Sequence, residues 1–250
     1  MKNLILIAIL FNASIFADYS NHKDSKEVID ELVNEHGFEE SYVINVLKQA
    51  KKRKTALNSV ARPAEKTKTW DDYRAIFLKK KRISDGKKFI QTNITVLERA
   101  EKEFGVPKEV ITAILGVETD YGNIMGSYRV IDSLTTLGFD DPRRSKFFKS
   151  ELIQFFILTR ENNLDILKVK GSYAGAMGYG QFISSSYRAY AIDFDGDGYV
   201  DLFNSLEDAI GSTANYLKRH GWKKEGSIVT RVYPNNAVSY THLRAHETDT

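Results

Sequence analysis

Glu118 is the residue whose setting most strongly implies chemistry. It follows Ile111, Ile114 and Leu115 at spacings of seven, four and three, so on a helix its carboxylate shares an apolar stripe. A carboxylate in such a place is costly unless paired, and desolvation raises its pKa toward the range a general acid needs. The same spacing fits a Glu that snorkels at a helix end or pairs with an arginine. Asp120 lies two residues further and points elsewhere on the helix, which makes it a poor second carboxylate. Gly122 stops the helix and lets backbone come close to a bound group.

Two other segments have a composition that ordinary packing does not demand. Residues Gly171 to Phe182, GSYAGAMGYGQF, hold four glycines among Ser172, Tyr173, Tyr179 and Gln181. No Lys-Ser/Thr follows the glycines, so this is not a phosphate loop. It would bring backbone, hydroxyls and an amide to a polar ligand, or be a plain loop with aromatic packing. Further on, Asp193, Asp195, Asp197, Gly198, Tyr199 and Asp201 fall on positions 1, 3, 5, 6, 7 and 9 of an EF-hand pattern. Asn204 stands at position 12, where a bidentate Glu is expected. Crowded carboxylates repel without a cation, so a metal or partial protonation is physically motivated; the alternative is an Asp/Gly turn that binds calcium weakly or not at all.

The motif Glu118-Thr-Asp-Tyr-Gly122 together with GSYAGAMGYGQF resembles the membrane-bound lytic murein transglycosylase B family, a likeness extending from about Trp70 through Trp222. It takes in the DFDGDG loop and the ANYLKRHGW helix. The resemblance implies a lysozyme-like α core that cleaves peptidoglycan between N-acetylmuramic acid and N-acetylglucosamine, leaving 1,6-anhydromuramoyl ends. It implies Glu118 as sole acid and base, with Ser172 and Gln181 near the acetamido group and Glu118. Tyr73 and Tyr216 match aromatic cleft positions, Phe182 the cleft floor, and Arg143 and Arg144 would meet stem-peptide carboxylates. Core packing is the competing reading for the aromatics, and a solvated helix start for the arginine pair. In the acidic loop, the resemblance implies structural calcium on Asp193, Asp195, Asp197 and the Tyr199 carbonyl, with Asp208 or Glu207 closing the site. The family's further Tyr-Asn motif, downstream of the position matching Trp222, has no counterpart here. A muramidase that hydrolyses with water, and an idle peptidoglycan-binding protein, are the competing functions.

These residues need helices to hold them, and apolar residues recur at three and four far more often than at two. Ser25 caps a helix toward His36, and Ser41 a second one. A basic stretch, Lys51 to Arg62, leads to Pro63. Trp70, Tyr73, Ile76 and Phe77 mark a helix ended near Gly86, and Phe89 to Phe104 the next. Pro107 opens the helix of Glu118, Asp141-Pro142 another, and Asp208 to His220 the last. Strand signals are scarce, the best being Ser227 to Tyr233. The expected class is mainly α: an N-terminal helical lobe over 18–100 and a lysozyme-like core over 101–236, with the EF-hand-like loop at 193–208.

The ends read differently. Residues 1–17, with Lys2 and the apolar run Leu4 to Phe16, read as a secretory signal or an uncleaved anchor, and place the protein in the periplasm. Residues 237–250 lack any periodicity and look like translated adaptor read-through, so His242 and His246 are not read as a metal site. Across 250 residues, 42% hydrophobic and 28% charged content excludes a disordered chain. A net charge of +3 is too even for a nucleic-acid binder, but suits an anionic polymer as partner. The absence of cysteine excludes a disulfide scaffold, a thiolate zinc site, a thiol nucleophile and a lipid-anchored Cys. The expectation is a monomer, peripheral to the cell envelope, with glycan strands as its partner and no catalytic cofactor.

Overall fold

The computed structural model describes residues 18–62 and 68–228. The signal-like segment, most of the expected strand over 227–233, and the tail with its two histidines lie outside the described residues. Within them the three-and-four periodicity yields eleven α-helices and two strands of two residues each.

Helices α1 (Ser25–Asn34), α2 (Glu40–Gln49) and α3 (Lys54–Ala61) form the N-terminal part. α1 buries Val28, Ile29 and Leu32, and α2 buries Val43, Val46 and Leu47. These stripes close against α8 (Val130–Asp140) and α9 (Ser145–Glu161), where Phe148, Leu152, Phe155 and Phe156 complete one shared core. Leu97 and Ala100, at the end of the expected N-terminal lobe, belong to a different core, whereas its first part, Tyr19 to Ala56, shares its core with residues 130–202. Asp132 of α8, fully buried, ties the two together. Its carboxylate accepts from Arg53 Nη2 at 2.6 Å, Arg129 Nε at 3.1 Å and the Lys51 amide at 2.9 Å. A buried carboxylate is tolerated only with such partners.

A second core lies under the acid-bearing helix. α4 (Trp70–Phe77) leads to α5 (Lys80–Thr92), α6 (Ile94–Phe104) and α7 (Lys108–Thr119). Leu97, Ala100, Phe104, Ile111 and Leu115 pack there with Phe194, Ile210 and Ala214. α10 (Ser184–Tyr190) and α11 (Leu206–Arg219) close the fold, and β1 (Tyr128–Arg129) pairs antiparallel with β2 (Lys170–Gly171).

Four sequence expectations change. Gly86 does not stop a helix but sits buried within α5, because a Cβ there would lie 2.5 Å from the Tyr121 hydroxyl oxygen. The run Phe89 to Phe104 is two helices, broken at Asn93, whose side chain turns back to donate to the Phe89 carbonyl at 2.9 Å. The basic stretch holds α3, which buries Ala56 and packs the partly buried Leu57 and Val60 against the same core. Asp141 does not start a helix. It follows α8 and accepts from the Arg143 amide at 2.8 Å, and α9 begins at Ser145.

Candidate active site

α7 runs straight to the acid and then ends abruptly. Asp120 (φ 52°) and Tyr121 (φ 61°) are both left-handed, as is Gly122 (φ 91°). Left-handed non-glycine residues cost roughly 1–3 kcal/mol each and persist only where surroundings impose them. The surroundings here are specific. The Thr119 hydroxyl donates to the Tyr179 carbonyl at 2.8 Å and accepts from the Gly122 amide at 3.0 Å. The Asp120 carboxylate faces away from Glu118 and meets Arg82 of α5 at 3.4 Å.

The glycine-rich segment supplies the opposite wall. Met177 and Phe182 pair as an isolated antiparallel bridge, each amide donating to the other's carbonyl at 2.9 Å. The four residues between them make a tight reversal in which Gly178 (φ 69°) and Gln181 (φ 51°) are left-handed. A Cβ on Gly178 would come within 2.4 Å of the Leu202 carbonyl oxygen, so glycine is required by approach as well as by φ. The Gln181 amide nitrogen donates to the Met125 carbonyl at 3.2 Å and the Gly178 carbonyl at 3.1 Å, which fixes the side chain at the wall.

α11 forms the third side. Tyr216 stands edge-on to Phe182 at 5.6 Å and stacks on His220 at 4.0 Å, the aromatic geometry that fixes ring orientation. Between these walls lies a cavity of about 300 Å³. Ile114 and Glu118 of α7 face the Gly180–Ile183 stretch, with Ser186 of α10 and Thr213, Tyr216 and Leu217 of α11 beside them.

Among the described residues, Glu118 is the only carboxylate lining this cavity. It is open to solvent on the cavity side, yet desolvation by the surrounding protein pushes its carboxyl pKa above the ordinary value. No other cause contributes to the shift, and no arginine or lysine offsets it among the described residues. Such a group can stay protonated at a pH where a free carboxylic acid would not.

The structure thus brings together Glu118, Gln181, Phe182 and Tyr216 of the residues singled out from sequence. It does not bring the rest to this cavity. Ser172 turns inward, its Oγ accepting from the Ala176 amide at 3.0 Å and the Ala174 amide at 3.3 Å, which shapes the glycine-rich loop. Tyr73 sits on α4 between Trp70 and Phe77, with ring centroids 6.4 and 5.2 Å away. Arg143 and Arg144 are exposed just before α9, with Arg144 over the Phe147 ring at 4.4 Å. Sequence reasoning missed Ser186 and Thr213. Thr213 falls three residues before Tyr216 on one helix face, a spacing that was there to be used. Ser186 carries no such signal.

The acidic loop joins α10 to α11. Asp193 accepts from the Gly196 amide at 2.6 Å and the Gly198 amide at 2.8 Å, Asp195 from the Ser205 hydroxyl at 2.6 Å, and Asp197 from the Tyr199 amide at 2.8 Å. Each of the three carboxylates still offers an oxygen within 4.8 Å of the other two, a spacing that fits one hard cation. The Tyr199 side chain is exposed. Asp208, expected as a ligand, is 1% exposed and stands behind the loop. Its oxygens accept from the amides of Phe194 (2.7 Å), Asp195 (3.2 Å) and Asp201 (2.8 Å), so it stitches the two loop ends together and is not one of the clustered carboxylates. Glu207 is paired with Arg99 at 2.8 Å.

Comparison with known proteins bears on this arrangement. The transglycosylase SLT domain model matches residues 20–250. The membrane-bound lytic murein transglycosylase B of Escherichia coli (strain K12) is 42% identical over 220 residues, which cover 84% of this chain and 61% of that protein. The chain thus spans about three fifths of that relative's length. The catenated lytic transglycosylase SltB1 of Pseudomonas aeruginosa superposes with a TM-score of 0.80 at 46% identity, over 84% of this chain and 69% of that one. The Escherichia coli lytic transglycosylase Slt35 in complex with calcium gives 0.78 at 42% identity, over 84% and 67%.

Proposed function

The chain belongs to the transglycosylase SLT domain family, and from that premise we propose that it cleaves the MurNAc-β-1,4-GlcNAc bond of peptidoglycan and leaves 1,6-anhydromuramoyl ends. The observation that carries this reading is the lone carboxylate. Glycosidases that use water or a covalent intermediate work with two carboxyl groups, roughly 5–9.5 Å apart. Among the described residues Glu118 is the one carboxylate in this cavity, and Asp120 is engaged with Arg82.

One group suffices when the sugar supplies its own nucleophile. Protonated Glu118 gives its proton to the glycosidic oxygen as the bond to C1 breaks, and the GlcNAc-side hydroxyl leaves. The resulting carboxylate then accepts the proton of the muramoyl C6 hydroxyl, whose oxygen bonds to C1. Glu118 ends protonated as it began, and no water is consumed. The raised pKa keeps the acid form available at the outset. The N-acetyl group stabilises the oxocarbenium-like state between the two transfers. Tyr216, Phe182 and Ile114 provide apolar and aromatic surface for the sugar, and Ser186, Thr213 and Gln181 provide the polar groups.

Tyr73, and beyond it Arg143 and Arg144, would belong to more distant parts of a long glycan strand and its stem peptides. Asp193, Asp195 and Asp197, with the Tyr199 carbonyl, would hold one calcium ion that pins the loop between the glycine-rich wall and α11. The ion would offset two of the three carboxylate charges there and take no part in proton transfer. We place the protein in the periplasm, as a monomer peripheral to the envelope. No helix among the described residues is long and apolar enough to cross a membrane. The test is digestion of purified peptidoglycan. Wild type should release anhydromuropeptides, and Glu118→Gln should release none while still binding the sacculus. Appreciable release by that variant contradicts the assignment.

A further inference from the structure

The helix that carries Glu118 is gripped from behind. Gly116 precedes the acid by two residues, a rotation of about 200° around the helix, so it lies on the face turned away from the cavity. That face meets Tyr121. After the left-handed turn the Tyr121 ring folds back into a slot between α7 and α5 whose walls are two glycines. A Cβ on Gly116 would lie 2.6 Å from the ring's Cζ, and one on Gly86 2.5 Å from the phenol oxygen. Neither helix could keep its position against this ring with any larger residue. The phenol donates to the Arg82 carbonyl at 2.8 Å, Phe89 flanks the ring at 5.3 Å, and the Arg82 side chain returns to Asp120. Every bond in this set spans α5 and the end of α7.

We propose that Tyr121 is a positioning residue: by filling the Gly86–Gly116 slot it fixes the rotation of the last turn of α7 and thereby aims Glu118 into the cavity. The inference rests on the reading of Glu118 as the acid. A ring that merely filled space would not need two consecutive left-handed residues immediately after the acid, nor a glycine in the middle of each of two helices. Displacement of a reacting group by about 1 Å can cost on the order of 10²-fold in rate, so a small rotation of α7 is enough to matter.

The slot can be tested from its far side, in a residue that touches neither substrate nor Glu118. Gly86→Ala puts a methyl 2.5 Å from the phenol oxygen, in a helix that alanine otherwise favours. On purified peptidoglycan it should lower kcat about tenfold or more with KM within about twofold of wild type. Tyr121→Phe should keep most activity, because the ring still fits. The double variant Gly86→Ala/Tyr121→Phe should recover most of the loss, since removing the hydroxyl makes room for the methyl. Circular dichroism and thermal melts would set the folded fraction for each variant. The proposal is overturned if Gly86→Ala has wild-type kcat, if its loss only tracks the folded fraction, or if the double variant shows no recovery. Glu118→Gln, assayed alongside, separates the two readings. An active Glu118→Gln overturns both, whereas an inactive one beside an unaffected Gly86→Ala overturns the positioning role alone.

Discussion

The cavity wall at Glu118 and the acidic loop at 193–208 use the same functional group in opposite settings. Among the described residues Glu118 has no hydrogen-bonding or charged partner that offsets its desolvation, and desolvation raises its pKa. The loop carboxylates accept backbone amides instead. Asp208 accepts three backbone amides, and Asp193 two. Burial raises the Asp208 pKa as well, but there the three amides oppose the shift. A carboxylate left without partners can exchange a proton with a substrate, whereas one tied to amides holds backbone in place. Reactivity and structure are separated by what each oxygen already bonds.

That contrast makes predictions of different sizes. Glu118→Gln should lower turnover at least ~10²-fold, the usual cost of an essential general acid, while melting no lower than wild type. A large loss of stability with residual turnover would place Glu118 among the structural carboxylates. Asp208→Ala should do the reverse. It strands three amides, that of the buried Phe194 among them, and should cost roughly 3 kcal/mol in chemical unfolding, with activity per folded molecule retained. Calcium comes next. If the three clustered carboxylates bind it only when folded, a hundredfold excess over Kd adds about 2.7 kcal/mol, EDTA removes it, and Asp193→Asn/Asp195→Asn/Asp197→Asn abolishes the response. No calcium-dependent shift in melting temperature at millimolar concentration would make the loop only a turn.

The smallest effect is in pH. A carboxyl whose folded pKa lies above its unfolded value contributes its full stability below the unfolded pKa, and loses it as pH rises through the folded one. Glu118 fits this pattern. The melting temperature of Glu118→Gln relative to wild type should therefore rise between acid and neutral pH. A difference that stays flat or falls would mean that the acid has a partner. Activity should likewise fall with rising pH, as the acid form is lost.

Much of this was legible in the sequence, because periodicity records one-sided burial. The helix of Glu118 showed its stripe, and the loop motifs carried their identity in residue type and spacing. α8 was not legible. Every residue from Val130 to Phe139 is buried, the polar Asp132, Ser133, Thr135 and Thr136 included, so residue type along it does not report which face meets solvent. Gly86 read as a stop because a sequence cannot distinguish a glycine that ends a helix from one that makes room for a ring 35 residues away. The family resemblance implies outward roles for Ser172 and Asp208, but both side chains bond backbone of their own loops. Short polar side chains near turns commonly do so, and only the folded geometry shows which.

The central claim is that one carboxyl group and the sugar's own C6 hydroxyl do the work of two carboxyl groups and a water. Digestion of purified peptidoglycan in ¹⁸O-enriched water, followed by mass spectrometry of the released muropeptides, reads this directly. The account predicts anhydro ends, lighter by one water than hydrolysis products and free of label from the cleavage step. Reducing ends carrying one ¹⁸O at C1 from the moment of cleavage would contradict it, and would make the protein a hydrolase.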